Sequence, residues 1–111
     1  MESTIKVLIL SVVALFIVPI AALGQGEATY KTQCSKCHGM DGSASTPAGK
    51  KLGAADLRSQ EVQDLPYDEL FATIAYGAKH KQYPHGFARR GLEPKQIAEL
   101  VIYIHNLALK K

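Results

Sequence analysis

A chain of 111 residues and 12.0 kDa has room for one domain, which excludes a multidomain enzyme and the large doubly wound or barrel folds. Two cysteines, Cys34 and Cys37, exclude a disulfide-dense scaffold. A net charge of +3 without a recognisable nucleic-acid module argues against nucleic-acid binding. Of the first 24 residues 17 are apolar, and the remaining chain is only about 40% apolar, below the roughly 45–50% of globular proteins. So small a domain gains from a metal, a disulfide or a cofactor to pack around.

Residues 1–6 are short and polar, with Lys6 as the one basic side chain. Residues 7–23 carry no charge and are interrupted only by Ser11 and Pro19; Ala22-Leu23-Gly24 follows as a small-residue site. This is the layout of a secretory signal over 1–24, cleaved before Gln25. The competing reading is an uncleaved membrane anchor, for which the run stands at the short edge of the about 17–25 residues a span needs. Either way the domain 25–111 is expected outside the cytoplasm, in the periplasm or an equivalent space, where two lone thiols tend to oxidise unless something occupies them.

Along that domain, residues 27–36 read as a short helix leading into the cysteines. Residues 39–53 hold four glycines, Pro47 and the Asp41-Gly42 turn signal and read as loop, with a brief helical turn over 54–60. Residues 66–76 read as a helix with Leu70, Phe71 and Ile74 on one face, Pro66 in the first turn and Gly77 as its cap. Residues 80–91 read as loop. Residues 94–109 are the strongest helix, with a stripe of Ile97, Leu100, Val101, Ile104 and Leu107. Glu93 is a weak N-cap there, since Glu lacks the short reach of Ser, Thr or Asp. No segment alternates like a strand, so the fold class is all-α.

Cys34-Ser35-Lys36-Cys37-His38 is C-x-x-C-H, the attachment signature of c-type haem. Two thiols one helical turn apart can add to the two vinyl groups on one porphyrin edge, and the next residue offers an imidazole to the iron. A redox C-x-x-C belongs in a βαβ context, which is missing here. A zinc site needs four ligands, and the spacing of His80, His85 and His105 resembles no zinc module.

From residue 25 onward the chain resembles a class I, monohaem cytochrome c of the small bacterial type over essentially its whole length. Gly26 and Tyr30 precede Cys34 by eight and four residues, as that family's first-helix glycine and aromatic do. Leu100 and Tyr103 match the last-helix pair that crosses them. Cys37-His38-Gly39 followed by Asp41-Gly42 is similar to the small bacterial members. The resemblance implies three to five helices wrapped around one haem c, covalent through Cys34 and Cys37, with His38 as proximal iron ligand. It implies electron transfer with redox-protein partners rather than catalysis. It makes Leu52, Leu57, Phe71, Ile74, Phe87, Leu100 and Ile104 candidates to pack the macrocycle, and Pro47 the candidate whose carbonyl accepts from His38 Nδ1.

The chain departs from that family at the distal ligand, usually a methionine. Only Met1 and Met40 are present. Met40 is two residues from His38, a reach of at most about 7 Å, too little to round the porphyrin, and it reads as a filler. In the loop before the last helix, matching the proline puts Tyr83 in the ligand's place, whereas matching the distance to Leu92 puts His85 there. Imidazole is the better ligand at neutral pH, so His85 is favoured, with His80 and Tyr83 as the other candidates. His105, on the last helix, is expected to contribute surface charge or a dipole contact. Lys79, Lys81, Arg89 and Arg90 fall in an acid-free stretch suited to steering an acidic redox partner; membrane contact is expected only if residues 1–24 stay attached. The alternative function is a haem-based gas or peroxide binder with an open or displaceable distal site. Mass spectrometry of the exported protein is expected to find Gln25 as its first residue; a chain that retains residues 1–24 identifies that segment as an anchor.

Overall fold

The computed structural model describes residues 24–77 and 85–109. Among them are six helices and no strand, the all-α class that the periodicity predicts. The helix expected over 27–36 starts earlier and is interrupted: α1 (Gln25–Gln33) gives way at Cys34 to the single turn α2 (Ser35–His38). Cys34 sits at φ −120°, off helical values. Its carbonyl collects the N–H groups of both Cys37 (3.3 Å) and His38 (3.0 Å), which restarts the helix one residue on.

Residues 39–53, expected as loop, contain α3 (Pro47–Leu52). Local chemistry explains it. The Thr46 hydroxyl accepts from Gly49 N–H at 2.9 Å, Pro47 fills the first helical position, and Gly53 closes the helix at φ +68°. The turn expected over 54–60 lies further along. It is α4 (Gln60–Gln63), started by Ser59, whose hydroxyl accepts from Val62 N–H. Helix α5 (Tyr67–Tyr76) follows Pro66 and ends on Gly77 at φ +80°. Helix α6 (Pro94–Leu107) ends two residues before the expected 109. Its weak cap Glu93 is compensated, because Gln96 Oε1 accepts from Glu93 N–H at 2.8 Å.

The predicted stripe of α6 is the centre of the core: Ile97, Leu100, Val101, Ile104 and Leu107 are all buried. Burying each such side chain contributes about 1.5–3 kcal/mol. Helix α1 lies against that helix, and Gly26 makes the approach possible. A Cβ on Gly26 would stand 2.7 Å from the Glu99 carbonyl oxygen. One turn on, the rings of Tyr30 and Tyr103 meet at 4.9 Å between centres, tilted by 44°. Gln63 braces the centre, its Nε2 donating to Leu57 O (2.7 Å) and Ile104 O (2.9 Å). Gly26→Ala is therefore expected to cost about 1–3 kcal/mol, the range for overpacking against atoms that cannot yield, read as a lower denaturant midpoint; an unchanged midpoint contradicts the close crossing.

Candidate functional site

The attachment motif is held from two sides. Helix α1 carries Tyr30, whose hydroxyl donates to Gly39 O at 2.7 Å, and burial pushes that phenol well above its ordinary range. On the other side α3 rides directly on α2. The Thr46 hydroxyl lies 2.7 Å from Lys36 O and 2.9 Å from Cys37 O. A Cβ on Gly49 would overlap the Cys37 carbonyl. Thr46 and Gly49 escaped the sequence reading, although a Thr-Pro pair with glycine at its third helical position is a legible helix start.

Cys34 and Cys37 are half-buried and free of any disulfide. Burial, with Cys37 adding a smaller contribution, pushes the Cys34 thiol up to about 12. His38 Nδ1 lies 2.9 Å from Ala55 O. A carbonyl only accepts, so Nδ1 carries the hydrogen and Nε2 keeps its lone pair. Burial lowers the pKa of His38, and the bond to Ala55 opposes this only in part, which keeps the ring neutral as ligation requires. The carbonyl expected from Pro47 is thus replaced by that of Ala55. Pro47 stands in the first turn of α3, where carbonyls are committed to the helical ladder.

Opposite this turn lies His85. The segment just after it is tied to the C-terminal carbonyls of α5: Gly86 and Phe87 N–H donate to Ile74 O (3.1 and 2.9 Å), and Ala88 N–H to Ala75 O (3.1 Å). These bonds satisfy groups that a helix end otherwise leaves to solvent and set where His85 enters. The His85 ring faces His38 with 6.3 Å between ring centres and 10° between planes. Phe87 stands 6.4 Å from His85, and the Arg90 guanidinium lies 4.6 Å over its ring. His80, Tyr83, Lys79 and Lys81 fall outside the described residues.

Of the candidate lining residues, Leu57, Ile74, Phe87, Leu100 and Ile104 are buried in one cluster, with Phe71 and Cys34 packed on its edge. Leu52 is exposed, at 40%. Met40, read as a filler, is exposed as well, at 57%. His105 is more than a surface charge: half-buried, its Nε2 lies 3.3 Å from Leu65 O and links α6 to the turn before α5. Among the described residues no group of three or more His, Cys, Asp and Glu side chains is arranged to hold a metal ion.

A family model described as cytochrome c oxidase, cbb3-type, subunit III matches residues 21–104. A search of curated proteins returns no match. A cytochrome c domain carries covalent haem c, acts as a haem-based electron carrier between redox proteins and is typically extracytoplasmic, and Cys34 and Cys37 have the spacing that attaches the group. With the match covering most of its length and the all-α fold around a C-x-x-C-H turn, the chain belongs to the cbb3-type cytochrome c oxidase subunit III family of c-type cytochromes.

Proposed function

We propose that this protein is an exported single-haem electron carrier with two histidines, His38 and His85, as the axial ligands of its iron. The observation that carries this is the pair of facing, nearly parallel imidazoles 6.3 Å apart. An imidazole nitrogen bonds a first-row metal such as zinc at about 2.0–2.1 Å, and the ring centre lies about 1.1 Å beyond it. Two imidazoles on opposite sides of one iron at similar bond lengths then have centres about 6.3 Å apart. The hydrogen bond from His38 Nδ1 to Ala55 leaves Nε2 as the donor atom toward iron. Haem c supplies the one-electron Fe(II)/Fe(III) couple; the chain holds it through Cys34 and Cys37 and packs it with Leu57, Phe71, Ile74, Phe87 and Leu100.

His85 is preferred to His80 or Tyr83 on its spacing from Leu92, and among the described residues its ring faces His38. Methionine is no competitor, since Met40 is exposed and two residues from His38. Met/His ligation is the arrangement that raises haem potentials, so this carrier works at a lower potential than a typical cytochrome c and suits a more reducing donor. A second imidazole also disfavours gas or peroxide binding, which needs a distal site that is open or readily displaced.

Residues 1–24 direct export to the periplasm, with an uncleaved anchor as the other outcome; among the described residues no helix is long and apolar enough to cross a membrane. Arg89 and Arg90 are exposed beside the distal segment. These two arginines, with Lys79 and Lys81 near them in sequence, are the cations that meet an acidic redox partner.

Absorption spectra of the oxidised and reduced holoprotein, with and without carbon monoxide, test the ligation. The wild type is expected to be low-spin and inert to the gas, whereas His85→Ala becomes high-spin and binds it. A wild type that binds carbon monoxide overturns the carrier in favour of the gas binder, and a His85→Ala spectrum identical to wild type removes His85 as ligand. Electron-transfer rates with an acidic partner are expected to fall as salt rises through the range that screens surface charge; a salt-independent rate removes the basic side from partner docking.

A further inference from the structure

The Ala55 carbonyl that holds His38 belongs to a stretch outside any helix, between α3 and α4. Such a carbonyl needs something else to fix its direction. The next residue supplies it. Asp56 Oδ1 accepts from the Arg58 backbone N–H at 2.9 Å and from Arg58 Nε at 3.2 Å, while Oδ2 accepts from Arg58 Nη2 at 3.2 Å. One carboxylate thus closes a turn over 56–58 and grips the guanidinium as a two-pronged fork. Ser59 N–H donates to Asp56 O at 3.1 Å, which closes the same turn from the backbone.

This turn is docked onto the loop that leaves the attachment motif. Leu57 N–H donates to Gly42 O at 2.8 Å, and Arg58 Nη1 stands 3.9 Å from Asp41 Oδ2. Asp41 in turn accepts from Ser43 N–H at 2.9 Å. The loop after His38 and the carbonyl in front of His38 are therefore joined through Asp56 and Arg58.

We infer that Asp56 is a positioning residue for His38: by closing the 56–58 turn it aims the Ala55 carbonyl at Nδ1 and so sets how strongly the imidazole donates to iron. This rests on His38 being the proximal ligand. A ring whose outer N–H is firmly hydrogen-bonded is a more basic ligand, which favours Fe(III) and lowers the potential. Loosening the carbonyl raises it. The pair is two-fifths exposed on both sides, where an ion pair adds little to global stability, so its effect is read at His38 and not in the unfolding midpoint.

The test compares Asp56→Ala with Asp56→Asn in the holoprotein, following the reduction potential and the solvent exchange of the His38 Nδ1 proton. Both variants remove the same charge, but asparagine keeps an oxygen that accepts from Arg58 N–H. Asp56→Ala is expected to raise the potential and to speed exchange roughly three- to thirtyfold, the span of losing a side-chain cap on backbone N–H. Asp56→Asn is expected to stay near wild type in both. Equal shifts in the two variants, a charge effect alone, overturn the inference, as does the absence of any shift in Asp56→Ala. The ¹⁵N resonances of His38 in the oxidised wild type separate the two levels. If the iron does not displace them, the assignment of His38 as ligand fails and the inference with it; if they are displaced while Asp56→Ala behaves as wild type, only the role of Asp56 fails.

Discussion

The approach of α1 to α6 at Gly26 sets the frame for everything else. Backbone meets backbone there, with no room for a Cβ before the Glu99 carbonyl. That contact brings Tyr30 onto Tyr103 and leaves the Tyr30 hydroxyl on Gly39, the residue that follows the attachment motif. The C-x-x-C-H turn is consequently fixed relative to α6, the longest helix among the described residues. Helix α6 also carries the buried stripe on which α5 packs, and the last carbonyls of α5 hold the segment that delivers His85. Two histidines 47 positions apart in sequence are thereby placed face to face by one crossing and one helix end.

The electrostatics around His38 suit a ligating imidazole. Burial disfavours charge on His38, and the Ala55 carbonyl fixes its tautomer. A neutral imidazole with its lone pair at Nε2 is what iron coordination needs. The chain surrounds this region with apolar side chains and sets its exposed ion pairs, such as Asp56 with Arg58, on the rim. Such an arrangement suits a carrier, whose two oxidation states must share one geometry. The proposed exchange of a thioether for an imidazole would tune the same fold to a lower potential.

The parts of this molecule that local chemistry dictates were legible in the sequence. The motif at Cys34–His38 is contiguous, the stripe of α6 repeats with the helical period, and the pairing of Gly26 and Tyr30 with Leu100 and Tyr103 followed from a family resemblance. The distance from Leu92 and the ligand chemistry of imidazole together favour His85 over His80 and Tyr83. What stayed hidden depends on contacts between distant segments. Helix α3 lay under a glycine- and serine-rich composition that reads as loop, although Thr46, Pro47 and Gly53 bracket it. The family resemblance points to Pro47 for the carbonyl facing His38, and nothing local shows that residues 39–58 fold back to present Ala55 instead. Gln63 donates to carbonyls six and 41 residues away, and no motif announces such a brace.

Electron paramagnetic resonance of the oxidised holoprotein, with only its histidines labelled with ¹⁵N, tests the two-histidine centre most directly. Imidazole planes 10° apart predict a rhombic low-spin signal with three resolved features and couplings from two histidine rings. A high-spin signal, or a low-spin signal coupled to His38 alone, would contradict it.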